Sequence, residues 1–280
     1  MEDTRRSPTV RRRRLARELR RLREAAGLTA DEATRQLEWA AGKVNKLERA
    51  QAVRPRVTDI RAMLDLYGLT EETKREALLD LTREARQRGW WAAYGPLSDT
   101  YTEFESEARK ISTFELSVIP GLLQTPAYAR ALQRGWLLRD EKEIDRLVEL
   151  RMRRQKLLTF DNPPRLWAII DESAVNRPFG SEETKREQLQ RLIDTGPLEH
   201  IDIQILPVTV GFHPGLSGSF VILDYDQDPS LIYREISPSS VYLEGSDQVE
   251  ERRRVFEHLS AAALGPEESI AYLRRLTERS

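Results

Sequence analysis

Residues 27–49 read GLTADEATRQLEWAAGKVNKLER, and this stretch decides the fold of the N-terminal part of the chain. Thr29 and Glu32 form the T-x-x-E pattern of a capping box, in which each side chain accepts a hydrogen bond from the other residue's backbone N–H at the start of a helix. Gly27, just before it, is typical of a residue that ends a preceding helix. A turn of a few residues around Trp39 predicts that a third helix crosses the second steeply.

Apolar residues on both sides of this stretch recur at helical spacing, which predicts four helices around one small core. The predicted core residues are Leu15, Leu19, Leu22 and Ala26 in the first helix, Ala33 and Leu37 in the second, Val44 and Leu47 in the third, and Ile60, Leu64 and Tyr67 in the fourth. The third helix then projects its polar and basic side chains outward.

These outward residues are of the types that contact DNA phosphates and base edges. The predicted DNA-binding residues are Lys43, Asn45, Lys46 and Arg49 on the third helix, Arg35 on the second, and Arg11, Arg12, Arg13 and Arg14 at the start of the first. Residues 1–60 carry 16 Lys+Arg against 9 Asp+Glu, an excess of +7 in a chain whose net charge is -1. This end therefore suits a polyanion. A helical bundle that has lost DNA binding and only dimerises is the alternative.

The order of these residues resembles the lambda-repressor-like, xenobiotic-response-element (XRE) class of helix-turn-helix regulators. The resemblance rests on GLTADE at 27–32 and on Trp39 followed by KVNKLE at 43–48, and it covers about residues 10–70. It implies a regulator that reads DNA with its third helix. Four residues depart from the class pattern: Ala30 replaces a phosphate-binding Gln, Thr34 a small Ala at the helix crossing, Ala40 a capping Ser or Thr, and Ala50 a helix-ending Gly.

The composition changes beyond residue 70. A charged helix over residues 71–88 is predicted to connect two domains, and an aromatic cluster that includes Trp90 and Trp91 follows Gly89. Adjacent tryptophans at such a boundary either pack a connector onto the next domain or form an aromatic platform for a ligand.

The remaining chain predicts helices first and then a sheet. Spacing predicts a helix over 101–114, and the Pro120–Gly121 turn precedes a helix opened by Pro126. Strands are predicted at 166–170, 201–206, 220–225, 231–236 and 241–243, with helices at 141–158, 182–194, 248–263 and 267–277. The predicted fold class is an N-terminal all-α helix-turn-helix bundle plus a C-terminal α+β domain with a mainly antiparallel sheet. The predicted divisions are a flexible arm at 1–9, the helix-turn-helix domain at 10–70, a connecting helix at 71–89 and an α+β effector or interaction domain at 90–280.

Four motifs in the second part also resemble a family. They are PGLLQTPAYARAL at 120–132, RMRRQKLL at 151–158, LWAIIDESAV at 166–175 and QILPVTVGFHPGLSGSF at 204–220. Together they resemble the C-terminal domain, over about residues 90–275, of a large group of actinobacterial helix-turn-helix regulators. That resemblance implies developmental or antibiotic regulation, often with a small partner protein encoded nearby in an arrangement likened to toxin and antitoxin pairs. It implies no particular ligand or reaction.

The second part predicts binding rather than catalysis. Asp171 and Glu172 are adjacent at a strand end and point to opposite faces, so helix capping is favoured over a catalytic pair. His213 lies on a Gly-rich loop far in sequence from the other histidines, and it is interpreted as a hydrogen-bonding loop residue. We therefore expect no enzyme, no catalytic residues, no cofactor and no metal site. The chain has no cysteine, which excludes disulfides and thiolate-bound zinc.

The sequence thus predicts a sequence-specific transcriptional regulator, located in the cytoplasm at the nucleoid, with no membrane segment. One reading helix makes few base contacts, so we expect a homodimer on a palindromic double-stranded DNA operator. Leu122, Leu123, Trp90 and Trp91 are the predicted interface or partner-binding residues. The alternative is an antitoxin-type interaction module that holds a small neighbouring-gene partner and binds DNA to regulate itself.

Overall fold

The computed structural model describes residues 7–52, 54–87, 89–97, 100–135, 140–236 and 239–279. The chain divides into two compact units, Met1–Glu107 and Ala108–Ser280. Residues 90–107 therefore group with the first unit, whereas the domain boundaries drawn from the sequence placed them in the second. Of the predicted arm, residues 1–6 lie outside the described residues, and Ser7 caps the first helix with its side chain.

The first unit is helical throughout its described part. Its helices are α1 (Pro8–Ala25), α2 (Ala30–Gln36), α3 (Lys43–Glu48), α4 (Val57–Leu66), α5 (Glu72–Glu84) and α6 (Thr100–Glu107). The predicted core residues pack together, with Leu19, Ala33, Val44 and Leu64 at 0% exposure. Ala26 is the exception, because it stands at the exposed C-cap of α1.

The aromatic cluster after residue 89 lies inside the first unit. Trp91 is buried and its indole N–H donates to Glu103 of α6 at 3.0 Å, while Trp90 is half-buried and meets Trp91 edge-on. Trp91 therefore packs this segment onto α6 within the first unit, and not onto the next domain as the packing alternative stated. Its buried indole is not a ligand platform in this structure.

The second unit is built on a six-stranded sheet in its described part. The strands are β1 (Lys110–Glu115), β2 (Arg165–Asp171), β3 (Ile201–Leu206), β4 (Phe220–Asp224), β5 (Leu231–Ile236) and β6 (Ser239–Leu243), in the spatial order β3-β2-β1-β4-β5-β6. The β1–β2 and β2–β3 pairs are parallel, whereas β1–β4, β4–β5 and β5–β6 are antiparallel. The sheet is therefore mixed, and the prediction of a mainly antiparallel sheet was wrong.

The connections between strands explain this mixture. Helices α7 (Pro126–Gly135) and α8 (Glu141–Gln155) join β1 to β2, and α9 (Glu172–Asn176) and α10 (Glu182–Thr195) join β2 to β3. Such helical crossovers are what parallel pairing requires, while the short β4–β5 and β5–β6 connections suit antiparallel neighbours. Both faces of β2 are covered, since Ile169 and Ile170 are each fully buried.

Strand β1 corrects the predicted helix over 101–114. Helix α6 stops at Glu107, and residues 110–115 form a central strand between β2 and β4. Ile111 is paired with Leu166 on one side and Leu223 on the other. Pairing on both sides outweighs the helical spacing of a few apolar residues.

Two helices finish the chain, α11 (Ser246–Ala262) and α12 (Pro266–Arg279). Phe256 and Leu259 of α11 pack with Phe114 and Phe220 on one face of the sheet. Leu122 and Leu123, predicted to lie at an interface, are instead core residues with 3% and 0% exposure. That prediction was wrong because the turn after β1 folds inward.

Candidate nucleic-acid interface

The capping box predicted at the start of α2 is confirmed. The Thr29 backbone N–H donates to Glu32 Oε2 at 2.8 Å, and the Glu32 backbone N–H donates to Thr29 Oγ1 at 3.2 Å. Hydrogen bonding from the Thr29 side chain lowers the pKa of Glu32, which keeps the carboxylate charged at the positive end of the helix dipole. This box fixes where α2 begins, and therefore where the turn and α3 follow.

The turn between α2 and α3 uses left-handed backbone at both ends. Glu38 has a φ of 54° and Gly42 a φ of 77°. The Trp39 backbone N–H donates to the Thr34 carbonyl at 3.0 Å, which closes the end of α2. Gly42 stands at the N-cap of α3, and no side chain makes a capping hydrogen bond there within the described residues. The six-residue α3 therefore depends on tertiary contacts for its position.

One of those contacts is a buried ion pair. Arg23 Nε donates to Glu48 Oε1 at 2.9 Å and Arg23 Nη2 donates to Oε2 at 2.9 Å, with side-chain exposures of 10% and 4%. Arg23 also donates to the Leu28 carbonyl at 2.6 Å, and the Tyr67 hydroxyl donates to Glu48 at 3.3 Å. Burial, together with the Glu48 carboxylate, raises the pKa of Tyr67. The network joins α1, α3 and the end of α4, so it sets the orientation of α3.

The sequence analysis missed this network. It assigned no role to Arg23 and included Glu48 only within the KVNKLE motif. The available signal was spacing, because Arg23 follows Leu19 by four residues and so lies on the buried stripe of the helix. A charge on a buried stripe requires an opposite partner in the fold.

Lys43, the first residue of α3, is held by two neighbours. Its Nζ lies 2.9 Å from Asp59 Oδ1 of α4 and 3.9 Å from the centre of the Trp39 ring. A lysine at a helix N-terminus is opposed by the helix dipole, and the carboxylate and aromatic face offset that cost. Lys43 is therefore less available to DNA than the sequence analysis expected.

The other residues of α2 and α3 that were predicted to contact DNA face outward. Lys46 and Arg49 are exposed, Asn45 is half-buried, and Arg35 of α2 is exposed. Lys46 and Arg49 form no ion pair with the described carboxylates. Arg54 and Arg56, in the segment between α3 and α4, are exposed as well, and the sequence analysis did not include them. Their signal was available, since both flank a proline directly after the reading helix.

Three arginines at the start of α1 have contacts within the first unit. Arg11 forms ion pairs with Glu84 and Glu107, and the guanidinium of Arg13 lies 4.7 Å from the centre of the Phe104 ring. Burial lowers the pKa of Arg12. These three side chains contribute to the packing of the first unit, and their contact with phosphates stays a prediction. Arg14 of the same run is half-buried.

Three of the four departures from the class pattern, Thr34, Ala40 and Ala50, have separate outcomes. Thr34 is accommodated at the helix crossing, since its hydroxyl donates to the Ala30 carbonyl at 2.7 Å. Ala40 lies in the turn and does not cap α3. Ala50 takes a φ of 55°, the left-handed conformation that favours glycine, and so retains strain at the end of the reading helix.

In the second unit, Asp171 and Glu172 have hydrogen-bond partners, whereas the buried Nδ1 of His213 has none among the described residues. Asp171 caps α9 by accepting the Ser173 backbone N–H at 2.8 Å, which confirms the capping interpretation. Glu172 accepts the Val208 backbone N–H at 2.8 Å and the Tyr272 hydroxyl at 2.7 Å. His213 is buried, and its Nε2 lies 3.7 Å from Asp171 Oδ2. These contacts tie the loop after β3 to the carboxyl end of β2.

Glu115 ends β1 at the same edge of the sheet. Burial raises the pKa of Glu115 to about 7, and hydrogen bonds from Ser219 and Thr113 oppose that rise. The sequence analysis missed this group because it predicted a helix over residues 101–114, where the structure has most of β1.

Comparison with known families finds two matches along the chain. A helix-turn-helix domain family matches residues 14–78, and the family described as a domain of unknown function, DUF5753, matches residues 98–275. The chain belongs to the DUF5753 family. No curated protein and no solved structure matches it. In the described part of this DUF5753 protein, no helix is long and apolar enough to cross a bilayer.

Proposed function

We propose that this DUF5753 protein is a sequence-specific transcriptional regulator that reads DNA with α3. The observation that carries the proposal is the pair of exposed cations, Lys46 and Arg49, on a helix whose buried side is fixed by Arg23 and Glu48. Asn45 beside them is of the type that pairs with adenine in the major groove. The helix-turn-helix match supports DNA binding, and we assign the module to the XRE class on the residues of its turn.

The salt dependence of DNA binding tests this assignment. Operators are first selected from random-sequence duplexes, and binding of the Lys46→Gln, Arg49→Gln double variant is then measured over a range of salt concentrations. Each lost phosphate contact should reduce the slope of log K against log salt by roughly 0.9. Arg20→Gln with Arg21→Gln is the matched control, because it removes two exposed cations from α1. An equal change of slope in both variants would refute the assignment of Lys46 and Arg49 to the DNA-binding surface.

Asn45→Ala tests specificity separately. The substitution should weaken the free energy of binding to the selected operator by about 1–3 kcal/mol and change binding to random DNA little.

We further propose a homodimer on a palindromic operator, since one six-residue helix contacts few base pairs. Light scattering of the protein and of its operator complex should give two copies per site, and one copy on each site would contradict the dimer. Binding to DNA would place the protein at the nucleoid, in the cytoplasm.

We propose that the second unit binds a partner protein or an effector and is not an enzyme, as in the effector domains of actinobacterial regulators. The burial of His213 and Asp171 supports this role, because neither side chain is accessible to a substrate. The antitoxin-type alternative makes a distinct prediction. Co-expression with the protein encoded next to it should then give one co-eluting complex in size-exclusion chromatography, and separate elution would argue against it.

A further inference from the structure

Exposed apolar side chains gather at one end of the sheet in the second unit. In the described part of the chain, the strongly exposed large hydrophobic residues are Leu198, Val208, Phe212, Leu216 and Ile236. Val208, Phe212 and Leu216 lie in the loop between β3 and β4, and Ile236 ends β5. Because β5 runs in the same direction as β3, all four lie at the carboxyl end of the sheet, whereas Leu198 precedes β3 at the opposite end.

The loop after β3 crosses the ends of two strands. It leaves β3 at one side of the sheet and enters β4 beyond β2 and β1. The Val208 backbone N–H donates to Glu172, just after β2, at 2.8 Å, and Arg234 Nη2 of β5 donates to the Ser217 carbonyl at 2.7 Å. The exposed side chains therefore follow one another along this end of the sheet, from β3 toward β5. We call these four residues the apolar strip: Val208, Phe212, Leu216 and Ile236.

The loop is packed firmly onto the sheet below it. His213 is buried, its Nε2 lies 3.7 Å from Asp171 Oδ2, and its ring meets the Phe114 ring edge-on with centres 5.9 Å apart. A Cβ at Gly215 would lie 2.6 Å from the Phe114 ring, so the backbone approaches β1 at a distance that only glycine permits. Phe212, which is 90% exposed, is thus presented by a segment that is already ordered. Little conformational entropy is lost when such a segment binds.

Electrostatics favour a second copy of this chain as the occupant of the apolar strip. Residues 203–223 contain no Asp, Glu, Lys or Arg, although 32% of the chain is charged. In a twofold contact each surface meets its own copy, so a charge near the axis faces the same charge and is repelled. A loop without such charges avoids this repulsion. The exposed Glu235 adjoins Ile236 at one end of the strip, away from its centre.

The size of the apolar strip suits the centre of a dimer interface. At exposures of 50–90%, the four side chains together present on the order of 400 Å² of apolar surface. A standard interface covers about 800 Å² per partner, with an apolar core and a polar rim. Leu122 and Leu123, which the sequence analysis placed at an interface, are buried. The strip offers the exposed apolar surface that they do not.

We infer that the apolar strip is the contact between two copies of this chain, related by a twofold axis that passes near Phe212. Phe212 lies between Val208 and Leu216 in the loop, so such an axis brings the two Phe212 side chains together. It also places Val208 of one copy near Leu216 of the other. A central aromatic side chain is typical of the residues that dominate binding at interfaces. The inference rests on the proposed homodimer and names its contact surface.

The dissociation constant of the dimer tests this inference, measured by sedimentation equilibrium of the full chain without DNA. Phe212→Asp should raise that constant by about thirtyfold or more, because it removes the central aromatic side chain and places two carboxylates near the axis. Leu198→Asp is the matched control, since Leu198 is an exposed apolar residue at the opposite end of the sheet, and it should leave the constant unchanged. Equal constants in wild type and Phe212→Asp would overturn the inference and leave the homodimer to another surface.

Mixing oppositely charged variants tests the twofold geometry. Phe212→Asp and Phe212→Lys should each dimerise weakly, and an equimolar mixture should form a heterodimer about tenfold or more tighter than either homodimer, because opposite charges then meet near the axis. No gain on mixing would overturn the geometry. Circular dichroism should show native helix content, since Phe212 is exposed. If a charged variant loses that content, Phe212→Ser gives the comparison instead, and an unchanged dimer in it would overturn the inference.

The inference and the DNA-binding proposal fail separately. A wild-type chain that remains monomeric up to about 0.1 mM would overturn the inference and leave the apolar strip to a different protein. DNA binding would still stand, because it is tested by the salt slope of the Lys46→Gln, Arg49→Gln variant. Failure of that test would in turn leave the dissociation constants of the dimer unaffected, since they are measured without DNA.

Discussion

The substitution Arg23→Met should destabilise α3, although Arg23 is not one of the residues proposed to contact DNA. In Arg23→Met the Glu48 carboxylate, whose side chain is 4% exposed, loses its three contacts of 2.9–3.0 Å to the guanidinium and keeps the Tyr67 hydroxyl at 3.3 Å. An uncompensated buried charge costs about 3–5 kcal/mol. A unit of this size has a total stability of roughly 5–10 kcal/mol, so the variant should lie near the limit of folding.

Hydrogen–deuterium exchange of peptides that cover α3 measures this cost where it acts. A loss of 3–5 kcal/mol corresponds to a fall in protection of about two to four orders of magnitude. The matched control is Arg21→Met on the same helix, because its ion pair with Glu18 is exposed and worth about 0–1 kcal/mol. Operator affinity should fall in Arg23→Met and remain unchanged in Arg21→Met.

The double variant Arg23→Met, Glu48→Leu separates an unpaired charge from lost packing. If the cost comes from the orphaned carboxylate, the double variant should be more stable than Arg23→Met alone. Equal protection of α3 in Arg23→Met and Arg21→Met would refute the reasoning. A loss of stability in the double variant equal to the sum of the losses in Arg23→Met and Glu48→Leu would also refute it.

Three further changes test other features. Asp59→Asn removes the carboxylate that pairs with Lys43, so binding to random-sequence DNA should strengthen. The slope of log K against log salt should steepen by up to about 0.9. An unchanged slope would show that Lys43 contacts no phosphate. Ala50→Gly relieves left-handed strain of about 1–2 kcal/mol against a backbone-entropy cost of about 0.5–1 kcal/mol, so exchange protection of α3 should rise, and a fall would contradict the strain. The pKa of Glu115 is raised from 4.5 to about 7 in the folded state, so its ionisation should reduce stability as pH rises through that window, by up to about 3 kcal/mol. Glu115→Gln should flatten this part of the profile in urea titrations at several pH values, and a wild-type profile in the variant would exclude Glu115 as the cause.

Local patterns predicted the reading module well. The capping box of Thr29 and Glu32 and the helix-ending Gly27, which is left-handed in the structure, are confirmed, because each depends on residues within one or two turns. The apolar faces of α1 to α4 followed for the same reason, since helical spacing alone decides which side chains share a side.

Long-range partners were the part that the sequence did not reveal. Arg11 and Arg23 belong to the same basic helix, yet their carboxylates lie 73 and 25 residues away. Strand β1 likewise depends on β2 and β4, which are distant in sequence. Charge and propensity describe a residue's own preferences, whereas these features depend on which neighbours the fold brings together.

The division of α3 into a buried side and an exposed side has an evolutionary consequence. Val44, Leu47 and Glu48 hold the helix, while Asn45, Lys46 and Arg49 face outward and make little of the contact that keeps it in place. Substitutions at the second group should therefore be tolerated by folding, so that a duplicated copy of this regulator can acquire a new operator in a few steps. Substitutions at Val44, Leu47 and Glu48 should destabilise the fold, so selection should remove them whatever their effect on DNA recognition.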